Sequence, residues 1–199
     1  FTGGVYVEEQ FDLWQKLTLN AGVRFDASTA FGDDISTEAY PKAGLSYLVS
    51  SDDWFGNTVG GWWNDLKFRL AYGETGKPPG PFDKDRSFQA TSFRGNSAPR
   101  FDNPGNDELK PERTSTIEVG FDASMFNNRL GLDFTWYDAA TTDALFFVPE
   151  QPVTGEGTQL RNIGEIKKTG IEVAASVQVL NRENLAWSVG GTFQMVDNE

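Results

Sequence analysis

The chain has 199 residues and is acidic, with 17 Lys plus Arg against 29 Asp plus Glu. That balance argues against a nucleic-acid partner, because a phosphate backbone demands a basic footprint. The absence of Cys and His removes disulfides, thiolate metal sites, the commonest metal ligand and the usual general base.

The high aromatic content and 21 glycines suit an all-β chain. The first predicted strand, Gly3 to Phe11, places Val5, Val7 and Phe11 on one face, with Glu9 as a misfit. After a tight connection, Asp12 to Gln15, the second runs from Lys16 to Asp26. There Leu17, Leu19, Ala21, Val23 and Phe25 oppose Thr18, Asn20, Gly22, Arg24 and Asp26. Such a period of two marks a strand with two different environments. A polar loop, Ala27 to Glu38, precedes the third strand, Tyr40 to Ser50. Ser51 to Asp65 reads as a Gly- and Trp-rich insertion before the fourth strand, Leu66 to Gly73. Glu74 to Arg113 holds six of the nine prolines and no sustained alternation, so it reads as loop.

The clearest signal follows. Leu109-Lys110-Pro111-Glu112 leads into a fifth strand that alternates Ile117, Val119, Phe121, Ala123 and Met125 with Thr116, Glu118, Gly120, Asp122 and Ser124. Phe126 to Arg129 is a turn in which Asn127-Asn128 can take positive φ. The sixth strand spans Leu130 to Thr141 and a second long loop spans Thr142 to Lys168. The seventh strand, Thr169 to Leu180, turns at Asn181 to Asn184 into the eighth, Leu185 to Val196.

No run of about 18 apolar residues exists, so no segment reads as a transmembrane helix. A membrane strand needs only about 9–11 residues, every second one apolar. The alternation therefore fits either a soluble sheet, wetted by bulk water, or a membrane barrel wetted by its lumen. Connection lengths favour the barrel. They are short after strands one, five and seven, and longer after two, four and six. In a meander this places the long loops on one side, the outer-membrane pattern; Ser51 to Asp65 breaks it. Aromatics cluster near strand ends, at Phe11, Trp14, Phe25, Trp54, Phe55, Trp62, Trp63, Trp136, Tyr137 and Trp187, as interfacial belts would. Phe1 enters without a charged leader and Glu199 follows directly on a strand, so both ends read as cuts in a longer chain.

Several short motifs, in order over most of the chain, resemble the barrel of TonB-dependent outer-membrane receptors, in particular the SusC/RagA-like branch. They are Arg69-Leu70-Ala71-Tyr72-Gly73-Glu74-Thr75-Gly76, Asn103 to Glu112 (NPGNDELKPE) with Glu118-Val119-Gly120-Phe121-Asp122, Phe126 to Leu130, Trp136-Tyr137, and Arg161 to Ile166 with Gly170-Ile171-Glu172. The resemblance implies residues 1–199 to be part of a 22-stranded transmembrane β-barrel, as an antiparallel up-and-down meander of about eight strands. The plug domain, the TonB box and the remaining strands would lie elsewhere in the parent. It implies active uptake of a nutrient (oligosaccharide, peptide or chelate) through the outer membrane, energised by TonB, with outer-membrane lipid and a surface lipoprotein lid as partners. The alternatives are a passive porin or surface adhesin barrel, and a soluble all-β binding module.

No residue pattern calls for an enzyme or a cofactor. Tyr72-Gly73-Glu74-Thr75-Gly76 lacks the strand–loop–helix context of a phosphate loop, and no carboxylate pair is placed for glycoside hydrolysis. Asp102, Asp107 and Glu108 beside Asn103 and Asn106 are oxygen ligands of the kind calcium accepts, without EF-hand spacing, so no metal is assigned. Arg24, Asp26, Lys67, Arg69, Glu118, Asp122, Asp133 and Glu172 could contact substrate or plug, but polar-inward alternation alone requires them, which favours cross-strand pairing. The expected substrate or partner surface is carried by the long loops, at Phe82, Phe88, Phe93, Arg94, Phe101, Phe146 and Phe147. The competing reading is that these rings pack the loops on one another.

Overall fold

A computed structural model describes residues 2–31, 37–59 and 61–199. Part of the polar loop expected at 27–38 therefore lies outside the described residues. The strands are β1 (Thr2–Leu13), β2 (Leu17–Ser28), β3 (Glu38–Leu48), β4 (Trp63–Lys77), β5 (Ser87–Phe93), β6 (Asn96–Asn103), β7 (Glu112–Met125), β8 (Leu130–Thr142), β9 (Leu145–Pro149), β10 (Thr158–Asn162), β11 (Ile166–Arg182) and β12 (Leu185–Asn198). Eight form one antiparallel sheet in the order β1-β2-β3-β4-β7-β8-β11-β12, the expected meander.

The expectation of structureless long loops is corrected. The β4–β7 connection contains the hairpin β5–β6 and the β8–β11 connection the hairpin β9–β10. The flanking strands also reach further than the alternation indicated, β4 to Lys77 and β11 back to Ile166. The insertion after β3 is likewise ordered, as a 3-10 turn (Val49–Ser51) and a short helix, α1 (Asp53–Thr58). Tight turns join β1 to β2, β7 to β8 and β11 to β12. Trp14 and Gln15 take φ of 53° and 58°, and Phe126, Asn127 and Asn128 lie between 57° and 62°, so the left-handed turn expected at Asn127-Asn128 is present and begins one residue earlier.

Register explains why the alternation is so regular. One row across all eight strands reads Leu13, Leu17, Tyr47, Phe68, Phe121, Phe134, Val173, Phe193. The next reads Asp12, Thr18, Ser46, Arg69, Gly120, Thr135, Glu172, Gln194. A slip of one residue in any strand would swap its faces. Within the apolar row the rings of Phe68 and Phe121 lie 6.3 Å apart and those of Phe121 and Phe134 5.5 Å, contacts worth about 0.5–1.5 kcal/mol each beyond their burial.

The apolar face has no second sheet against it; Phe193 is 61% exposed. Buried apolar side chains lie at the sheet's ends instead, including Leu109, Ala144 and Leu160 on one side and Val49 and Phe55 on the other. That removes the sandwich alternative. The apolar face is also an oblique band. It spans Val5 to Leu13 on β1 and Trp187 to Met195 on β12, yet the row through Leu13 reaches β12 at Phe193, six residues from Trp187. At ~3.3 Å per residue and ~4.8 Å between strands, that slide tilts the strands by about 30–40° to the band, near the tilt of membrane barrels. Foreshortened by that tilt, the band is about 22 Å high, against ~25 Å for outer-membrane barrels. Phe25, Tyr72 and Trp136 end it on the long-loop side; Trp63 and Trp187 end it on the turn side. Two of the expected belt residues fall elsewhere: Phe11 lies within the band and Phe55 is buried beneath α1. Glu9, opposite Ala21, is the one carboxylate inside the band on β1.

Candidate functional site

The polar face is crowded in a way the apolar face is not. A Cβ on Gly22 would come within 2.8 Å of the Val7 carbonyl, and one on Gly120 within 2.6 Å of the Phe134 carbonyl, whereas one on Gly191, on the apolar face, would meet nothing within 4 Å. The sheet therefore curves toward its polar side, and glycine is needed where neighbouring backbone comes closest. On this concave side the charges pair, mostly across strands. Lys67 meets Asp122 at 2.5 Å, and Arg69 lies 3.0 Å from Asp122 and 3.1 Å from Asp133. Asp122 Oδ1 is nevertheless out of line for a hydrogen bond, and Arg69 Nε is buried without a partner. Lys42 pairs with Glu8 at 2.8 Å, Arg24 with Asp26 at 2.7 Å, and Gln194 donates to Glu172 at 3.0 Å. Pairing, across strands for Lys67, Arg69, Asp122, Asp133 and Glu172 and along β2 for Arg24 and Asp26, thus accounts for most of the polar-face charges singled out above.

A cavity of about 600 Å³ opens on this face between β1, β2, β3 and β4. Tyr6, Glu8, Arg24, Asp26, Tyr40 and Lys42 line it where β3 and β4 cease to pair beyond Lys42 and Gly73. Arg113 bridges that opening, 2.7 Å from Glu38 and 2.7 Å from Glu74, with its guanidinium over the Tyr40 ring.

Beyond the same edge of the sheet, the two long connections share a packed base. Asn103 donates to the carbonyls of Phe82, Asp83 and Asp85 and accepts from Gly105 N–H. Asn106 donates to Leu160 O and accepts from Glu108 N–H. Gly105, at φ 74°, has no room for a side chain beside residues 84–86. Leu109 is fully buried. Asn162 imitates a strand, accepting from Lys110 N–H and donating to Lys110 O, both at 2.8 Å, and also to Asp143 O. Glu112 accepts from Leu145 N–H, and Arg86 meets Glu156 at 3.0 Å. The Asn-Pro-Gly-Asn run is therefore a fastener between loops. Its carboxamide oxygens are used by the backbone, and among the described residues no group of three acidic side chains converges on a metal position. Composition pointed to ligands here; the signal for fastening was the Asx-turn chemistry of Asn before Pro-Gly.

From this base stand two arms, and the expected loop residues lie on them. Phe88 and Phe101 face each other across β5–β6 with rings 4.9 Å apart, and Arg86 lies over Phe101. Phe93 and Arg94 form the tip, the guanidinium 5.5 Å from the ring, in a two-residue turn at Arg94 and Gly95. Phe82 is 77% exposed at the foot of that arm. Phe146 and Phe147 sit on β9, opposite Arg161 and Leu160. Packing between rings holds for Phe88 and Phe101, while Phe82, Phe93 and Phe147 are largely exposed. The structure thus groups five of the seven on or beside one arm's tip and stem, with the pair on β9 belonging to the other arm.

Residues 1–199 match the family described as TonB dependent receptor-like, beta-barrel. Among curated proteins, the chain is 25% identical over 205 residues to TonB-dependent receptor P3 of Formosa agariphila, covering 98% of this chain and 20% of that protein. It is 22% identical over 205 residues to TonB-dependent receptor SusC of Bacteroides thetaiotaomicron, covering 95% and 20%. The chain spans about a fifth of the length of these relatives. Among solved structures, the RagAB peptide importer in its closed-closed state superposes with a TM-score of 0.85 at 21% identity, over all of this chain and 22% of that one. The siderophore receptor PirA from Pseudomonas aeruginosa gives 0.62 at 17% identity, over 98% and 34%. At these identities the structural likeness concerns the fold.

Proposed function

The chain belongs to the TonB-dependent receptor-like β-barrel family, and from that premise we propose that it is one section of the barrel wall of an outer-membrane importer. The observation that carries this reading is the oblique apolar band, about 22 Å high and edged by aromatic rings, opposite a face whose charges pair with one another. On this reading the convex face meets lipid and the concave face lines the lumen. The arms and their base then lie on the extracellular side. The parent receptor supplies the other strands and an N-terminal plug that receives energy from TonB. The cargo is a nutrient too large for a porin: an oligosaccharide, a peptide or a chelate. The chain acts by binding and passage rather than by catalysis.

The two arms form the contact surface for substrate or for a surface lipoprotein that lids the barrel. Phe82, Phe88, Phe93, Arg94 and Phe101 on the first arm, with Phe146 and Phe147 on the second, stand on a fastened base, and every ring among them but that of Phe101 is exposed. Binding residues are commonly held this way, on loops positioned by a rigid scaffold. The test replaces Gln89 to Arg100 of the full-length receptor with a Gly-Ser turn. That cut falls on a paired rung and leaves Arg86 and Asn103 in place. Uptake by the parent bacterium of its growth substrate, measured with and without a functional TonB, should be TonB-dependent and should fall sharply in the deletion. Heat-modifiable gel migration should be unchanged. TonB-independent passage would identify a passive porin instead, and full uptake by the folded deletion would remove the first arm from the mechanism.

A further inference from the structure

The connection between β3 and β4 is unlike the others on its side of the sheet. Those hold three, four and two residues, whereas this one runs from Val49 to Trp62 and includes α1. It is fixed rather than loose. Asp52 accepts from Lys16, at the β1–β2 turn, and from the Tyr47 hydroxyl, and Phe55 is buried beneath the helix. The rings it leaves exposed lie beside those of neighbouring turns. Trp62 approaches Phe126 at 6.3 Å, and Phe126 N–H donates to Trp62 O at 2.7 Å. Trp54, Trp62, Trp14 and Phe126 are each between 49% and 76% exposed.

We propose that this connection is a membrane-interface foot, with the indoles of Trp54 and Trp62 seated at the headgroup level of the phospholipid leaflet on the turn side. The proposal rests on the apolar band crossing a bilayer. What selects lipid as the occupant is continuity with that band. Tyr47 is the last outward residue of β3, with only Leu48 between it and the connection, and Trp63 pairs with Met125, the last outward residue of β7. Phe126 comes next in the chain. The foot thus begins where the band ends. Its polarity is graded in the same direction. Helical spacing places Asp53 and Asn57 on one side of α1, where Asn57 donates to Asp53 O at 3.0 Å. Phe55 lies on the buried side, and Trp54 falls between the two. An indole, with a large apolar body and one N–H, is suited to that boundary between hydrocarbon and water. The Lys16–Asp52 tether holds the ring at one height.

The test uses the full-length receptor, folded into phospholipid vesicles and carrying one fluorescent label at Trp54→Cys, Trp62→Cys, Asn57→Cys or Val173→Cys. Lipids bearing a quencher near the headgroup or near the chain end probe depth, and iodide probes water. Labels at 54 and 62 should be quenched about twice as strongly by the shallow lipid as by the deep one. The label at 173 should show the reverse order, and the label at 57 should respond mainly to iodide. If Trp62→Cys fails to show heat-modifiable migration, Phe126→Cys takes its place. Should 54 and 62 escape both lipid quenchers while 173 is quenched, the foot faces the barrel mouth or periplasm, and the proposal falls while the barrel reading stands. Should 173 escape as well, both fall.

Discussion

Val173 and Glu172 are neighbours that point to different surroundings. Val173 sits in the apolar row between Phe134 and Phe193, and Glu172 accepts from Gln194 on the other face. Val173→Arg in the full-length receptor should cost about 2–4 kcal/mol near the bilayer midplane, while Glu172→Gln keeps an acceptor and should change stability little. Urea titration of folding into lipid compares the two; equal losses would contradict the assignment of faces. Asn162 acts on a different scale of force. Asn162→Ala removes partners from Lys110 N–H, Lys110 O and Asp143 O at once. These groups are exposed and water can replace the lost partner, so each hydrogen bond is worth about 0.5–1.5 kcal/mol, and the loop base should loosen. The expected result is faster protease cleavage within 78–111 and 143–165 while the barrel still migrates as folded. Unchanged cleavage would mean that Leu109 and its apolar neighbours suffice to hold the base.

Among the elements, legibility followed contrast between faces. β7 and β11 were readable because one face is apolar and the other polar throughout. β5 and β6 were not, because both their faces meet water. Phe88, Ala90 and Ser92 alternate with Gln89, Thr91 and Phe93 without any difference in character, and Pro99 lies within β6, where a proline argues against a strand. Leu145 to Pro149 in β9 is too short and too uniformly apolar to show a period. Helix α1, six residues including Gly56, is likewise below the length at which a helical period is visible. The fastening role of Asn103 and Asn162 depends on which carbonyls the fold brings to them, and that information is not local. The tether of α1 does make a pH prediction. The Lys16 ammonium and Tyr47 hydroxyl hold the Asp52 carboxyl below its ordinary range, and Asp52 holds the Lys16 ammonium above its own. The lowered Asp52 value makes its contribution complete above ~3.9 and lost as pH falls through the folded value. The raised Lys16 value makes its contribution complete below ~10.4 and lost as pH rises through the folded value. A spin label on α1 should therefore keep constant mobility from about pH 5 to 9, whereas Asp52→Asn should raise that mobility across the whole window. A transition near neutrality in the unsubstituted receptor would show that another group controls the foot.

At the level of the whole molecule, the chain leaves a continuous apolar face uncovered. Soluble monomers rarely expose apolar patches beyond a few hundred Å², and the outer edges of β1 and β12 have no partner among the described strands. The 199-residue chain by itself should therefore aggregate in plain buffer and disperse only in detergent. Light scattering decides this, and a monodisperse monomer without detergent would count against a lipid-facing surface. Glu9 tempers the uniformity of that face. It stands among Val7, Phe11 and Ala21 in the middle of the band on β1.

The hairpins within the long connections also bear on how the sheet can assemble in time. Seven pairings build it, each between strands adjacent in the meander, but β7 must find β4 across the 34 residues from 78 to 111. Closing so long a flexible loop, compared with the four-residue β7–β8 turn, costs about 2 kcal/mol more in chain entropy. A hairpin that zips first from the turn at Arg94 and Gly95 brings Ser87 beside Asn103, and the Asn103 amide then gathers residues 82 to 85. The stretch still free to wander shrinks to a few residues on either side. The first arm would thereby lower the contact order of the strand pairing it interrupts, so that shortening it cleanly should leave folding rates nearly unchanged, while scrambling it at constant length should slow them.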